Sequence, residues 1–440
     1  MRSIFIATWG NPFIWSPVEY RYEGRSVENR SSLPLLLECV DPKPDQVLVI
    51  VLDTVAKEPI SSYNNLLDHI CSLYSDFINE RIGVDLKKSN LSILVAPGVG
   101  RFKIDGNVFI RFDGNLSDFY AYILFRLSKI FLDCDDEVVV HLDLSHGINF
   151  MPSLTLAAIR ELLSALSLTS NVRLKIYNSE PYVNREVTRS LTIHLVEDRE
   201  ITPILDIKPL GVKGECMLLK ARMKNLNSKK QALLKSMRLS REELNEINAF
   251  ISSIFNGLPL ALYSFYPEDL NDKLNYAVKL WMDMINIIRE GGEISVVREF
   301  SFSEDFVRCV IINFIATTLK LSRKREVTLD DLDILRRKFF SKWSKKLDIM
   351  ISFDLRNIKE AVSKYPGMHI AVTDWVKLHE IFGEKPGGFD VRNFLAHSGL
   401  EQNITEMKID GSTVKLRYAG DFLKREVING CLNGLLKKKY

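Results

Sequence analysis

Toward the C-terminal end of this 440-residue chain, Arg392-Asn393 is followed by Phe394-Leu395-Ala396 and then His397. These residue types do complementary chemistry at phosphorus. Arginine stays protonated and presents a planar fork of donors matched to phosphate oxygens. Histidine takes or gives a proton near neutral pH, as displacement at phosphorus requires. On an ideal helix five residues turn through roughly 500°, so the two side chains leave about 140° apart and only a long Arg can wrap back towards the His. Two copies meeting across a two-fold axis would bring four such groups together. The competing reading is structural: an Arg on a solvated face, and a His capping a carbonyl near a helix end that Gly399 terminates.

A second group of polar residues collects where apolar runs end in the first half of the chain. Ser3–Ala7 runs into Thr8-Trp9-Gly10-Asn11, and Gln46–Leu52 runs into Asp53-Thr54. Glu137–Asp143 delivers Leu144-Ser145-His146-Gly147-Ile148-Asn149, and Val172–Tyr177 delivers Asn178-Ser179-Glu180. Continuous apolar runs suit central strands of a parallel sheet covered on both faces. Leu91–Val95 is another, and residues 101–112 read as a hairpin turning at Asp105-Gly106. Helical spacing over 61–82, 116–132 and 152–167 implies right-handed βαβ units in a doubly wound α/β domain. Ligands then belong at the carboxyl ends of the strands, where these polar loops lie. There is no GxGxxG, so no standard dinucleotide site is expected. Gly147 would let a ligand approach the backbone, Ser145 and Asn149 would donate, and the helix that follows would offer its free amides to an anion. His146 reads equally well as a structural turn residue.

Composition limits the partners. Fifty-nine basic residues nearly balance 56 acidic ones, so any RNA-binding surface must be local. Arg323-Lys324-Arg325 and Arg336-Arg337-Lys338 are the candidates for it, against a plain reading as solvated helix ends. Cys39, Cys71, Cys134, Cys216, Cys309 and Cys431 lie far apart with no zinc spacing, so no metal and no disulfide framework are expected. No leader pattern and no run of transmembrane length occur, and the expectation is a reduced, soluble, cytoplasmic protein with no membrane partner.

Leu191–Val196 should finish the sheet or extend its edge, and Pro203–Gly214, with two prolines and two glycines, marks a boundary. Helical periodicity takes over beyond it. Helices are expected over 228–237, 240–256, 267–290 (stopped by Gly291-Gly292), 304–321, 328–343, 354–364, 373–382 and 421–436, with a hairpin at 407–418. The expected division is an α/β domain over 1–207, a helical linker over 208–300 and an all-α domain with a small hairpin over 301–440.

The string Arg392-Asn393-x-x-Ala396-His397 resembles the R-x4-6-H signature of HEPN ribonucleases, with a polar residue after the Arg. The two loops Thr8-Trp9-Gly10-Asn11 and Asp143-x-Ser145-His146-Gly147-x-Asn149 resemble those of the CARF domain. Together, in this order, they resemble the CARF–HEPN ribonucleases of type III CRISPR systems over nearly the whole chain. The resemblance implies an endoribonuclease that cleaves single-stranded RNA without metal and works as a homodimer or higher homo-oligomer. It implies a cyclic oligoadenylate, of four nucleotides, as allosteric activator and no cofactor. Arg392, Asn393 and His397 would be catalytic; Thr8, Trp9, Gly10, Asn11, Asp53, Asp143, Ser145, His146, Gly147 and Asn149 would meet the activator. A non-enzymatic CARF-type transcriptional regulator or partner-binding sensor, and a HEPN toxin held by an antitoxin, are the competing readings.

Overall fold

Strand β1, Arg2–Trp9, has its last seven residues buried without a break, which only an interior strand covered on both faces allows. The computed structural model in which this is seen describes all residues except 57–60, 106–107, 133–135, 185–186, 212–214, 224–225, 365–373, 421–426 and 440. The chain forms two units. The first holds Met1–Thr202, Leu218–Met237 and Asn275–Val307; the second holds Pro203–Met217, Arg238–Leu274 and Arg308–Tyr440. The stretch 208–300 expected as one linker is therefore shared between the units.

In the first unit, β1 pairs in parallel with β4 (Gln46–Leu52) and with β8 (Glu137–His146). With β5 (Leu91–Ala96), β9 (Asn171–Ser179), β10 (Ser190–Ile201) and the hairpin β2 (Val18–Tyr22)–β3 (Arg25–Asn29), they make an eight-stranded sheet, ordered β3-β2-β10-β9-β8-β1-β4-β5. Helices α1 (Leu33–Cys39), α2 (Tyr63–Phe77), α3 (Leu116–Phe131) and α4 (Phe150–Leu166) connect the strands. β10, expected to finish the sheet or extend its edge, lies inside it, antiparallel to β9 and parallel to β2.

The expected helix 267–290 is corrected. After the short strand β11 (Leu219–Ala221), a helix covers Leu270–Asp283, and the chain then turns back as a hairpin, β12 (Ile285–Glu290) and β13 (Glu293–Arg298). Gly291 and Gly292 have φ of 56° and 81°, so the pair is a hairpin turn and not a helix stop. β13 joins β7 (Val108–Asp113) in parallel, and β6 (Gly100–Asp105) lies beyond β7. Of the turn expected at Asp105-Gly106, Asp105 ends β6 and Gly106 lies outside the described residues.

The second unit is mainly helical. Ser240 and Glu243 form a capping box opening the helix Arg241–Asn256, which Gly257 ends at φ 68°. The C-terminal helix Ile428–Lys439 packs on it, with Asn433 donating to the Asn245 carbonyl at 3.1 Å. The expected helix 328–343 runs without a break from Leu329 to Trp343, with a π-helical stretch over Arg336–Phe340. The helix expected over 354–364 starts earlier and runs Lys345–Lys364. Among the described residues of the helix expected over 373–382, only Leu378–Phe382 is helical, behind the short strand Val376–Lys377. The hairpin Thr405–Asp410/Thr413–Tyr418 forms as expected, and two-residue strands on each side extend it to four strands. Among the described residues, no helix is long and apolar enough to cross a membrane.

Candidate functional sites

In the first unit the carboxyl ends of β1 and β8 lie side by side, with Trp9 in register with His146. The Gly10 N–H donates to the His146 carbonyl at 2.8 Å, so the two polar loops start from one point. Asp143 organises the second loop from below. Its Oδ2 accepts Ser32 Oγ at 2.6 Å, and its Oδ1 accepts the Ser145 N–H at 2.9 Å and Ser145 Oγ at 2.5 Å. Ser145 Oγ in turn accepts the Ser179 N–H at 3.0 Å, tying in the end of β9. His146 is half-buried, its ring centroid 4.4 Å from that of Trp15, and its Nε2 accepts the Ser32 N–H at 3.1 Å. An amide can only donate, so Nε2 carries no proton and the imidazole is neutral with its hydrogen on Nδ1. Burial agrees, pushing the imidazole below its ordinary range while Asp143 pulls the other way.

Gly147 leaves no room for a side chain: a Cβ there would lie 2.3 Å from Pro152 Cγ and 2.6 Å from Thr8 Oγ1. Asn149, at φ 41°, stands exposed before the first turn of α4. Asn11 accepts the Phe13 N–H at 3.1 Å, and Tyr74 donates to the Gly10 carbonyl at 2.6 Å. Thr8 and Trp9 are fully buried, and Thr8 Oγ1 and Trp9 Nε1 have no hydrogen-bond partner among the described residues. Both side chains lie beneath the two loops.

Asp53 does not join this group. It is fully buried at the end of β4, where its carboxylate accepts the Gly98 N–H at 2.7 Å, the Tyr63 hydroxyl at 2.8 Å and the Arg298 guanidinium. Burial pushes the carboxyl up, and the Arg298 charge opposes it first among the polar partners. With its oxygens committed to a buried ion pair, Asp53 is a structural residue.

In the second unit, Asp390 accepts the Asn393 N–H at 2.7 Å and opens the short helix Val391–Ala396. The helix ends one residue before the histidine. His397 has φ −109° and ψ 36°, Ser398 φ 51° and Gly399 φ 78°, so the ideal-helix angle between Arg392 and His397 does not apply. Arg392, Asn393 and His397 are all exposed. Asn393 and His397 line a cleft of about 800 Å³, whose other walls come from Lys345–Lys364, Leu378–Phe382 and residues 400–402. His397 Nδ1 lies 3.3 Å from Asp354 Oδ1, and Ser398 Oγ donates to Asp354 Oδ2 at 2.7 Å. Both structural expectations for His397 hold in part: it caps the helix and Gly399 turns the chain, yet its ring faces the cleft wall. Sequence reading missed Asp354, Ser398, Ser32 and Trp15. Asp354 had one visible signal, an acid on the apolar stripe Ile351, Leu355, Ile358 and Val362.

Comparison with known proteins places a known domain on each part of the chain that holds a candidate site. The family model of the CARF domain of the CRISPR system endoribonuclease Csx1 matches residues 4–181, and that of its HEPN domain matches 344–420. The CRISPR system endoribonuclease Csx1 of Methanocaldococcus jannaschii is 32% identical over 465 aligned positions, which take in 100% of this chain and 95% of that protein. With two polar loops meeting at a sheet's edge, a histidine-bearing cleft among helices, and these matches over its length, the chain belongs to the Csx1 family of CRISPR system endoribonucleases.

Proposed function

We propose that this protein cuts single-stranded RNA without metal, that a cyclic oligoadenylate of four nucleotides switches it on, and that it acts in antiviral defence as a homodimer. The observation that carries the nuclease half is His397, exposed in the wall of a cleft of about 800 Å³ beside Asn393, one short helix away from exposed Arg392. RNA brings its own nucleophile, so the protein's tasks are proton transfer and charge stabilisation. His397 takes the proton of the 2′-hydroxyl as its oxygen bonds to phosphorus. The bond from phosphorus to the 5′-oxygen breaks, and that oxygen takes a proton from the protonated imidazole of a second copy. Arg392 holds the phosphate and offsets charge growing on its oxygens, while Asn393 orients it. The products are a 2′,3′-cyclic phosphate and a 5′-hydroxyl.

The activator reading is supported by a backbone-rich, neutral loop in the first unit: half-buried Gly147 and uncharged His146, exposed Asn149 and the start of α4. A ring with two-fold symmetry meets each loop twice in a symmetric dimer. The test is single-stranded RNA incubated in EDTA with each cyclic oligoadenylate. Cleavage should need one ring and be lost by at least about a hundredfold in His397→Ala. Cleavage by that variant at the wild-type rate refutes the assignment. Salt-dependent binding of duplex DNA without RNA loss would favour the non-enzymatic regulator instead.

A further inference from the structure

Asp354 is an acid placed where an apolar residue would serve packing better. It sits on the buried stripe of the helix Lys345–Lys364 with a side chain only 7% exposed, beside Ile351, Leu355 and Ile358. Its two oxygens are divided between consecutive residues of one turn: Oδ1 faces His397 Nδ1 at 3.3 Å and Oδ2 takes the Ser398 hydroxyl hydrogen at 2.7 Å. Ser398 is held at φ 51°, a conformation a non-glycine residue adopts only under constraint. The His397 side chain is 56% exposed, so packing alone leaves its ring free to turn. An ionised carboxylate only accepts hydrogen bonds. Facing one, Nδ1 carries a hydrogen, and the lone pair is left on Nε2, at the end of the ring away from Asp354.

We propose that Asp354, with Ser398, is the positioning pair of the nuclease centre: it fixes the tautomer and direction of the His397 ring and steadies the imidazolium once Nε2 has taken the 2′-hydroxyl proton. This rests on the nuclease reading above. The stability side supports it. Burial pushes the Asp354 carboxyl up, with Ser398 and His397 opposing. A carboxyl raised in the fold contributes stability below its unfolded pKa and loses it as pH rises through the folded value. Holding Asp354 ionised is thus a cost to the fold, which packing does not explain.

Asp354→Asn should keep or raise the melting temperature at neutral pH while kcat falls about 10- to 1,000-fold and KM moves less than about threefold. Ser398→Ala should cost kcat about three- to tenfold, since Oδ1 still faces Nδ1. His397→Ala separates the outcomes. If that variant cleaves normally, the nuclease reading falls and this inference falls with it. If that variant is dead while Asp354→Asn keeps the wild-type kcat, the positioning role alone is overturned. Should Asp354→Asn fail to fold, ¹⁵N-histidine spectra of the wild-type chain decide, with His397 assigned by His397→Gln. A hydrogen on Nδ1 is expected, and one on Nε2 in the neutral ring overturns the proposal.

Discussion

Gly147→Ala probes whether the loop after β8 is a ligand surface or a mere connection. The added Cβ would stand 2.3 Å from Pro152 Cγ, 2.7 Å from Pro152 Cδ and 2.6 Å from Thr8 Oγ1. Pro152 is a closed ring at the start of α4, and Thr8 is fully buried on an interior strand. Neither can swing away, so the loop backbone has to move. Overpacking of this kind costs about 1–3 kcal/mol. A loop whose amides must return to their original spacing to hold a ligand passes that cost on to affinity. At about 1.4 kcal/mol per tenfold, binding should weaken roughly 5- to 150-fold.

Gly10 supplies the control. A Cβ there would lie 2.3 Å from Ile148 Cγ1, just as close on paper, but Ile148 is 37% exposed and can rotate into solvent. Gly10→Ala should therefore strain its loop less and weaken binding less than Gly147→Ala does. The assay is calorimetric titration of cyclic tetra-adenylate into the full chain, with a melting curve to confirm folding. At saturating activator the Gly147→Ala protein should cleave RNA at nearly the wild-type rate, because Arg392 and His397 belong to the other unit. Unchanged affinity in a well-folded Gly147→Ala protein would refute the loop as a ligand surface.

Three further outcomes are expected. Arg298→Met should destabilise the first unit by about 3–5 kcal/mol, since it strands the fully buried Asp53 carboxylate, and adding Asp53→Asn should recover much of the loss; hydrogen exchange of β4 and β5 peptides in urea reads both, and Asp53→Asn weakening activator binding at full stability would return Asp53 to the ligand site. His141, fully buried with Nδ1 2.9 Å from the Tyr177 hydroxyl, is pushed by burial to about 4. Its unfolded form binds a proton first, so the stability it contributes is complete above about pH 6.5 and is lost towards pH 4, to the extent of roughly 3 kcal/mol; a His141→Gln protein with an unaltered acid slope in denaturation would contradict this. Gly399→Ala, at φ 78° with a Cβ 3.0 Å from the Tyr418 hydroxyl oxygen and 3.2 Å from Leu258 Cβ, should cost about 1–2 kcal/mol and lower cleavage by moving His397; equal melting and equal cleavage would show that the turn does not set the histidine.

The interior strands were legible because their burial is written in consecutive residues: Val47–Leu52 and Val138–Leu142 read the same in the chain as in the sheet. The hairpin over 285–298 was not, for two physical reasons. Ile285, Ile287 and Ile288 follow Leu280 and Trp281 closely enough to continue a helical stripe. The partner that makes β13 a strand is β7, some 180 residues earlier, and no local pattern names it. The Gly291-Gly292 pair between two six-residue runs is the available sign, and a glycine pair at that place suits a helix stop equally well.

The sites divide along the same line between local and distant. Loops that end apolar strands were visible, since a polar residue after a buried run has few places to go. What the sequence could not supply is which of those residues stay accessible. Asp53, Thr8 and Trp9 share the loop positions of Ser145 and Asn149 but are fully buried, and Arg298, which occupies Asp53, comes from 245 residues further along the chain. Asp354 is the converse case. It precedes His397 by 43 residues, on a helix whose other buried positions are apolar, and only folding shows that its carboxylate meets the histidine. An acid on an apolar stripe is expensive unless something offsets it, and here a hydroxyl and an imidazole do. Such a residue in a helix that precedes an Arg-x4-His stretch is therefore a readable sign of where the histidine will dock. The sign would fail if Asp354→Leu cleaved RNA as well as wild-type, since that side chain fills the stripe and offers His397 nothing.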